Sequence, residues 1–366
     1  MKTVLANTIG SEYSRKNASD GEDAFSYCGG NTGNVCFVDA IKQQLNTTDE
    51  ISCYHIMEDG NKDKVYVLPS SNWINLDGHV LRDIFLPLED ADVKLAVLGL
   101  GVQFDSSISS NTFVSELCKN QETIKALKIL SEHSKCIGVR GSITANCLDK
   151  IGIHNWKVIG CPSFYEPYRK KGSIHVATPS LEHVAINITP GKEGEGNILR
   201  YGYESNAEII LQTMSDMPLV LWKNRAVEDR HILSKFPGMS ELTPEQVRKY
   251  IRNNGTMFFT RESWSRHLQE ANVTFSVGSR FHGNMMALSH EIPALWVVHD
   301  VRTEELTEAM QLPFIYYDDL NYPMEKLLDK CDYNYKFINT YKKMGKEYIN
   351  FLNQCEIEHL FECKEG

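Results

Sequence analysis

The feature that most constrains the fold is a strand–turn–helix–strand unit in residues 273–306. A β-branched and aromatic run ends at Gly278, after which Arg280 and His282 open a helix-forming stretch. A second apolar run at 293–298 follows at once. A strand that turns directly into a helix and then into another strand is typical of βαβ units, so this unit predicts a parallel sheet.

The same alternation recurs along most of the chain and predicts an α/β fold with mostly parallel sheets. The predicted strands are residues 3–7, 64–68, 95–98, 136–139 and 158–160, followed by 184–188, 219–222, 257–259, 273–277, 294–298 and 314–317. The main predicted helices are residues 35–44, 120–133, 142–148, 206–214, 244–252 and a long terminal helix at 335–355.

The length predicts more than one domain, because a single hydrophobic core stops growing at about 250–300 residues and this chain has 366. We predict an N-terminal Rossmann-like domain at 1–170 and a C-terminal Rossmann-like domain at 171–335. Residues 336–366 form a terminal helix that packs back toward the first domain. The polar, basic segment 165–183 is the predicted linker, and the glycine-rich segment 191–197 is a predicted mobile loop over a strand end.

The composition excludes several classes of protein. A net charge of −10 opposes nucleic-acid binding, which needs Lys and Arg to neutralise phosphates. The ten cysteines are scattered without zinc-type spacing, and we interpret them as buried thiols. The chain starts without a signal-peptide pattern and contains no apolar run long enough for a membrane span, so we expect a cytoplasmic protein. We expect no metal, because no histidine pair has ligand spacing.

Polar residues follow two successive strands of the second half, where open α/β sheets bind ligands. Arg280, beside the start of a helix, predicts an anion site, and His282 is a candidate proton donor. His299, Asp300 and Arg302 follow the next strand. The alternatives are a structural ion pair for Arg280, a capping or core histidine at 282, and an Asp/Arg pair that only locks the loop.

The first half offers comparable positions. A glycine-rich turn at 29–34, which contains Asn31, Gly33 and Asn34, precedes a predicted helix and is a candidate phosphate or sugar cradle. Gly101 and Gln103 follow the strand at 95–98. Arg140 follows the strand at 136–139 and is a candidate anion ligand, unless it merely faces solvent at a helix start.

Several of these segments together resemble the polysaccharide pyruvyl transferase family. They are residues 98–103, 137–141 with 144–145 and 159–163, 278–284, and 293 with 299–305, to which the turn at 31–34 adds an N-terminal element. The resemblance runs in order over roughly residues 28–315. It implies a GT-B-like fold, in which two Rossmann-like domains face each other across a cleft.

The resemblance also implies a reaction. In that family phosphoenolpyruvate is the donor, and two hydroxyls of a sugar become bridged as a pyruvate ketal. No cofactor beyond this co-substrate is expected. Carried over by motif, Arg140 and Arg280 bind the donor together with Gly278, Gly283 and Asn284, and His282 is the catalytic acid.

The acceptor implied by the resemblance is a sugar or a lipid-linked oligosaccharide, and a lipid-linked acceptor would bring the protein near the inner face of the membrane. We expect residues 11–34 and 73–83 to select the acceptor. One departure is Cys161, where many members carry an Asp before the proline.

Two alternatives stay open. One is a GT-B glycosyltransferase with a nucleotide-sugar donor, for which Glu304 or Glu305 would hold the ribose. The other is a noncatalytic glycan-binding protein that kept the fold.

Overall fold

The computed structural model describes residues 1–192, 194–213, 242–321 and 323–362. The predicted strand at 219–222 and the last residue of the predicted helix at 206–214 lie outside these residues.

The first half of the chain builds a six-stranded sheet in which every described pairing is parallel. Its strands are β1 Lys2–Asn7, β2 Glu50–Ser52, β3 Lys64–Pro69, β4 Lys94–Leu100, β5 Ile137–Val139 and β6 Trp156–Val158, in the order β2-β1-β3-β4-β5-β6. Every residue of β4 after Lys94 is buried. Such a continuous apolar run is expected for a parallel strand that is covered on both faces.

The second half builds another six-stranded parallel sheet. Its strands are β7 Val184–Asn187, β8 Glu208–Ile210, β9 Gly255–Thr256, β10 Phe275–Gly278, β11 Ala294–Val298 and β12 Phe314–Tyr316, in the order β12-β11-β10-β7-β8-β9. The prediction of an α/β fold with two mostly parallel sheets is therefore confirmed.

Helices connect the strands in both halves. Those before β7 are α1 Glu12–Lys16, α2 Gly21–Tyr27, α3 Asn34–Gln44, α4 Ile56–Asp59, α5 His79–Phe85, α6 Ser110–Leu117, α7 Gln121–His133, α8 Ser142–Lys150 and α9 Glu166–Lys171. The described helices after β7 are α10 Glu195–Glu204, α11 Pro244–Asn254, α12 Arg261–Glu270, α13 Phe281–Leu288, α14 Val301–Met310, α15 Met324–Leu328 and α16 Tyr335–Gln354. Short 3₁₀ turns occupy Cys53–His55, Leu86–Leu88, Pro162–Tyr165 and Tyr317–Asn321.

The predicted helix at 206–214 is wrong, because this segment contains β8. Asn206 adopts a positive φ of 52° directly after α10, a conformation that ends a helix. Ile209 and Ile210 are then buried in a strand that pairs with β7 and β9. Pairing with two distant strands outweighs the weak local helical pattern.

Other boundaries also differ from the prediction. The predicted linker at 165–183 contains α9, which has Pro167 in its first turn, where the missing N–H costs nothing. The predicted mobile loop at 191–197 gives way to α10 at Glu195. The strands predicted at 257–259 and 158–160 lie about two residues earlier, as β9 and β6.

Buried polar contacts join the two halves. The Glu305 carboxylate accepts hydrogen bonds from the Thr144 backbone N–H (2.6 Å) and hydroxyl (2.9 Å) at the start of α8. Elsewhere, the Asp39 carboxylate of α3 forms a salt bridge with Arg15 at 2.6 Å and accepts a hydrogen bond from the backbone N–H of Arg261 at 3.4 Å. A carboxylate is stabilised where helix N–H groups lack internal partners.

The terminal helix α16 packs on the first half. The Tyr348 hydroxyl donates to Gln44 at 2.9 Å, and its ring stacks on that of Tyr165 with a centroid distance of 4.2 Å. The Tyr341 hydroxyl donates to the Phe164 carbonyl at 3.0 Å. Burial of these rings attaches the last helix to the first sheet.

Each described cysteine is a free thiol, and all of them except Cys118 are buried. In the part of the chain that the structure describes, no helix is long and apolar enough to cross a membrane.

Candidate active site

A cavity of about 790 Å³ lies where the carboxyl ends of the two sheets approach each other. Its wall from the first half includes Asn31, Asn34, Phe37, Asn72, Trp73, Gln103 and Arg140, and its wall from the second half includes Thr189, Lys192, Arg280, His282, His299, Asp300 and Arg302. Nine of the sequence-predicted site residues are therefore among its lining residues.

Arg280 is held at the end of β10 by the neighbouring strand β7. Its backbone N–H donates to the Asn187 side chain at 2.8 Å. Its Nε donates to the Ile188 carbonyl at 2.9 Å, and one terminal nitrogen donates to the Thr213 hydroxyl at 3.0 Å. These bonds direct the guanidinium along the cavity wall, in the planar fork geometry that suits carboxylate and phosphate.

Arg140 reaches the cavity from the other sheet. It is buried, its Nε donates to the Gly99 carbonyl at 2.9 Å, and its terminal nitrogen donates to the Asn72 side chain. Gly99 has a φ of +85° at a register shift in β4, a conformation that glycine adopts most readily. Burial, together with the positive charge of Arg302, lowers the pKa of Arg140 to about 10, so the guanidinium is charged at neutral pH.

His282 lies in the first turn of α13 and lines the same cavity as the two arginines. Its ring stacks on Phe37 of α3 at a centroid distance of 5.1 Å and an interplanar angle of 28°. Burial, and then the positive charges of Arg140 and Arg302, lower the pKa of His282 well below its usual value. The imidazole is therefore neutral at neutral pH.

Cys161 faces the other side of this imidazole. The Cys161 Sγ lies 3.6 Å from His282 Nε2 and 3.0 Å from the Ser163 hydroxyl. Burial raises the pKa of the Cys161 thiol, so the group beside His282 is uncharged. An aspartate at 161 would stabilise the imidazolium, which a neutral thiol does not.

His299, Asp300 and Arg302 form a charged corner after β11. Asp300 caps α14 by accepting from the Thr303 N–H and hydroxyl, each at 2.7 Å. Although burial raises its pKa, the charge of Arg302, the imidazole of His299 and these hydrogen bonds hold the Asp300 pKa well below its usual value. The nearest atoms of Asp300 and Arg302 are 3.4 Å apart. Burial lowers the pKa of His299 to about 4, so it is neutral here.

Five predicted site residues do not line the cavity. A side chain at Gly278 or Gly283 would collide with Asn187, one at Gly33 with Gln212, and one at Gly101 with Arg140. These glycines therefore permit close packing behind the cavity wall. The fifth residue is Asn284.

Asn284 is fully buried and holds strand ends together. Its amide nitrogen donates to the Gly278 and Leu295 carbonyls, at 2.9 and 3.0 Å. Its oxygen accepts from Asn187 at 2.6 Å and from Ser276 at 2.8 Å. With these four bonds it positions the turn that carries Arg280 and His282.

The glycine-rich turn at 29–34 contacts the second half. Asn31 forms an isolated antiparallel bridge with Thr213, and the Thr32 N–H donates to the Gln212 carbonyl at 2.9 Å. Thr213 also accepts a hydrogen bond from Arg280. The same residue therefore contacts the glycine-rich turn and the predicted donor site. Gln103, which follows β4, also lines the cavity.

A comparison with protein families identifies the family of this chain. The family model described as polysaccharide pyruvyl transferase matches residues 31–301, well over half of the chain. This protein belongs to the polysaccharide pyruvyl transferase family. Membership indicates a transferase, and the matched segment contains Arg140, Arg280 and His282.

Comparisons with curated proteins and with solved structures give less information about this family member. A search of curated proteins finds no match. Similar solved structures include a functionally uncharacterized protein from Klebsiella pneumoniae subsp. pneumoniae NTUH-K2044, with 11% identity, a TM-score of 0.38, and coverage of 86% of this chain and 92% of that one. Another is the S. aureus MnaA–UDP co-structure, with 9% identity, a TM-score of 0.43 and 96% coverage of both chains. At this level of similarity, neither structure indicates a function for this chain.

Several residues that line the cavity were not predicted from the sequence. Asn72 directly follows Ser71 after β3, a position that the strand-end argument used for other strands predicts, whereas Trp73 already begins the segment 73–83 that we expect to select the acceptor. Lys192 adds a cation from the segment that was predicted only as a loop. Phe37 was assigned only to a helix, and no local signal indicates that it supports His282.

Glu195 was also missed. It is fully buried in the first turn of α10, where it accepts a hydrogen bond of 2.6 Å from the Tyr317 hydroxyl. Burial raises the Glu195 pKa to about 7, against the opposing effect of hydrogen bonds and the charge of Arg280. It therefore adds a titratable group behind the cationic wall.

The chemistry available follows from these groups. Three guanidiniums and Lys192, with the Asp105 and Asp300 carboxylates beside them, can hold a small polyanion, and the His282 imidazole can accept or donate a proton. Among the described residues, no group of three or more His, Cys, Asp or Glu side chains is placed to hold a metal ion.

Proposed function

We propose that this protein transfers the pyruvyl group of phosphoenolpyruvate to two hydroxyls of a sugar in a polysaccharide or glycan precursor. The observation that carries the proposal is the approach of Arg140 and Arg280, from different sheets, to one cavity that also contains His282. Phosphoenolpyruvate carries a carboxylate and a phosphate, and two guanidinium forks match those two anions.

In the proposed reaction, one sugar hydroxyl oxygen bonds to the central carbon of the enol as the methylene carbon gains a proton and becomes a methyl group. The bond to the phosphate oxygen then breaks, inorganic phosphate leaves, and the second hydroxyl closes the ketal. Of the two hydroxyl protons released, one balances the new C–H bond, and the other leaves with phosphate or to solvent.

His282 is the proposed acid, and the bound donor sets its protonation. In the ligand-free protein its pKa is lowered chiefly by burial and then by the two nearby arginines. A donor anion bound by Arg140 offsets part of that positive charge, so the His282 pKa rises when the donor binds. The donor thereby favours the protonated form of the proposed acid.

We further propose a GT-B-like division of labour, in which residues 1–170 bind the acceptor and residues 171–335 bind most of the donor. The nucleotide-sugar alternative assigned the ribose to Glu304 or Glu305. Glu305 instead accepts from Thr144, and Glu304 accepts from the Tyr316 hydroxyl at 2.9 Å. Neither carboxylate lines the cavity, so no observation favours that alternative.

The decisive experiment incubates the protein with phosphoenolpyruvate and a broad panel of glycans, and measures phosphate release together with the ketal methyl signal by NMR. We expect both signals with at least one sugar. A thermal-shift comparison should show stabilisation by phosphoenolpyruvate and not by nucleotides. Stabilisation by a nucleotide alone, without phosphate release from the donor, would overturn the proposal.

A further inference from the structure

A second cavity, of about 580 Å³, adjoins the first at the ends of β1 and β2. The two cavities share Thr8, Ile9, Gly29 and Tyr54 in their walls. They therefore form one continuous groove, of which the proposed donor site occupies only one end.

Strand order gives this groove its direction. Arg140 follows β5, Gln103 follows β4, Trp73 follows β3, Ile9 follows β1, and Tyr54 follows β2. In the sheet order these strands are successive neighbours. Neighbouring strands lie 4.7–4.9 Å apart, so the groove extends for roughly 19 Å along the carboxyl edge of the sheet. That length exceeds a single sugar ring.

The second cavity presents aromatic and hydroxyl groups. Tyr27 and Tyr54 are 43% and 55% exposed, so their rings are accessible to a ligand. Ser11, Ser14 and Ser52 add hydroxyls to the same wall. Aromatic faces attract C–H groups, and hydroxyls exchange hydrogen bonds, so this surface suits the two faces of a sugar ring.

Its charge differs from that of the donor end. Of the described residues that line it, Glu50 is the only charged one. The Glu50 carboxylate already accepts from the Lys42 Nζ at 2.6 Å and from the Asn7 amide at 2.5 Å. The described residues that line it include no Lys, Arg or His, so a diphosphate there would have no cationic partner in the wall.

We propose that the second cavity binds uncharged sugar units that adjoin the reacting sugar, so that the acceptor is a glycan chain and not a monosaccharide or a sugar held by its diphosphate. The inference rests on the proposed function. In this arrangement the reacting sugar lies near Trp73 and Gln103, and the following units extend past Ile9 to Tyr27 and Tyr54.

The test compares oligosaccharide ladders of one to five units, made from N-acetylglucosamine, mannose or galactose, with phosphoenolpyruvate as donor. For a ladder that releases phosphate, we expect kcat/KM to rise about tenfold between the monosaccharide and the trisaccharide. In Tyr27→Ala, the ratio of kcat/KM for the trisaccharide to that for the monosaccharide should fall about tenfold. Tyr27→Phe retains the ring and should restore the ratio.

Tyr13→Ala is the matched control, because Tyr13 is 77% exposed and lines neither cavity. It should leave the ratio unchanged. Tyr54→Ala should lower the ratio and provides a second variant if Tyr27→Ala fails to fold. A flat dependence on chain length in the wild type would overturn the inference, as would a diphosphate-linked monosaccharide that outperforms every free oligosaccharide.

A calorimetric titration of the same ladders without donor separates the two proposals. If no sugar releases phosphate yet the trisaccharide binds and Tyr27→Ala weakens it about tenfold, the proposed reaction fails and the glycan-binding cavity stands. If phosphate release occurs equally with every chain length, the reaction stands and the second cavity is overturned.

Discussion

The two sheets present different chemistry to the same cavity. The second sheet contributes Lys192, Arg280, His282 and Arg302, whereas the first contributes amides, hydroxyls, aromatic rings and the Asp105 carboxylate, with Arg140 as the one cation among its described lining residues. On the second sheet, hydrogen bonds from Arg280 to the backbone and to Thr213 fix its guanidinium before any ligand arrives.

The difference indicates a division between anion binding and recognition of a neutral ligand. Fixed guanidiniums reduce the conformational cost of holding an anion. Amides and rings instead exchange hydrogen bonds with hydroxyls and cover apolar ring faces. Four variants test this division.

His282→Gln should lower kcat by roughly 10²–10⁴-fold, because the proposed general acid is removed. The KM for phosphoenolpyruvate should change far less, since the arginines remain. Phosphate release under saturating donor measures both. His154→Gln is the control, because the His154 side chain is 72% exposed in a surface pair with Asp149. An unchanged kcat in His282→Gln would assign the acid to another group.

Arg280→Ala should weaken the binding of phosphoenolpyruvate by about 100-fold, because a buried anion loses a charged partner. Arg280→Lys should have a smaller effect, since it keeps the charge and loses the planar fork. Calorimetric titration measures donor affinity directly. Arg266→Ala is the control, because Arg266 is exposed in a pair with Glu262. Equal donor affinity in Arg280→Ala and the wild type would remove the second sheet from donor binding.

Cys161→Asp should move the pH dependence of kcat/KM. A carboxylate beside His282 stabilises the imidazolium and raises the His282 pKa by about one unit or more. Because the acid form is the proposed active form, activity falls as pH rises through that pKa, and the fall should shift to higher pH. Cys161→Ser stays uncharged and should leave the profile in place. A profile unmoved by Cys161→Asp would contradict the role of His282 as acid.

Gln103→Ala tests the first sheet and should have the smallest effect. Losing one hydrogen bond to a sugar hydroxyl costs about 0.5–1.5 kcal/mol, so acceptor KM should rise by roughly two- to tenfold. Donor affinity should stay constant. Gln121→Ala, at an exposed position on α7, is the control. A change in donor affinity with no change in acceptor KM would reverse the assignment of the two sheets.

Much of the fold was predictable because parallel βαβ units carry a strong local signal. The apolar runs of β1, β4, β10 and β11 each coincide closely with the predicted strands. β8 was missed because a three-residue strand has almost no periodicity of its own, and its pairing partners are distant in the sequence. Short buried strands depend on tertiary contacts more than on propensity.

The site was predictable in its outline and not in its details. Arg140, Arg280 and His282 could be selected because each follows a strand end and matches a family motif. Asn284 belongs to the same motif, yet its side chain binds backbone carbonyls in the core. Motif membership alone does not distinguish a residue that faces a ligand from one that positions the turn.

By itself, the sequence determined the alternation of strands and helices, the polar residues that follow the strands, and the family. These are local properties that depend on periodicity and on neighbouring residue types. Only the tertiary structure decided which strand ends adjoin, and hence that Phe37 and Cys161 flank His282 and that two cavities form one groove. It also decided the proton affinity of His282, because burial and the charges of Arg140 and Arg302 depend on distances between residues far apart in the chain.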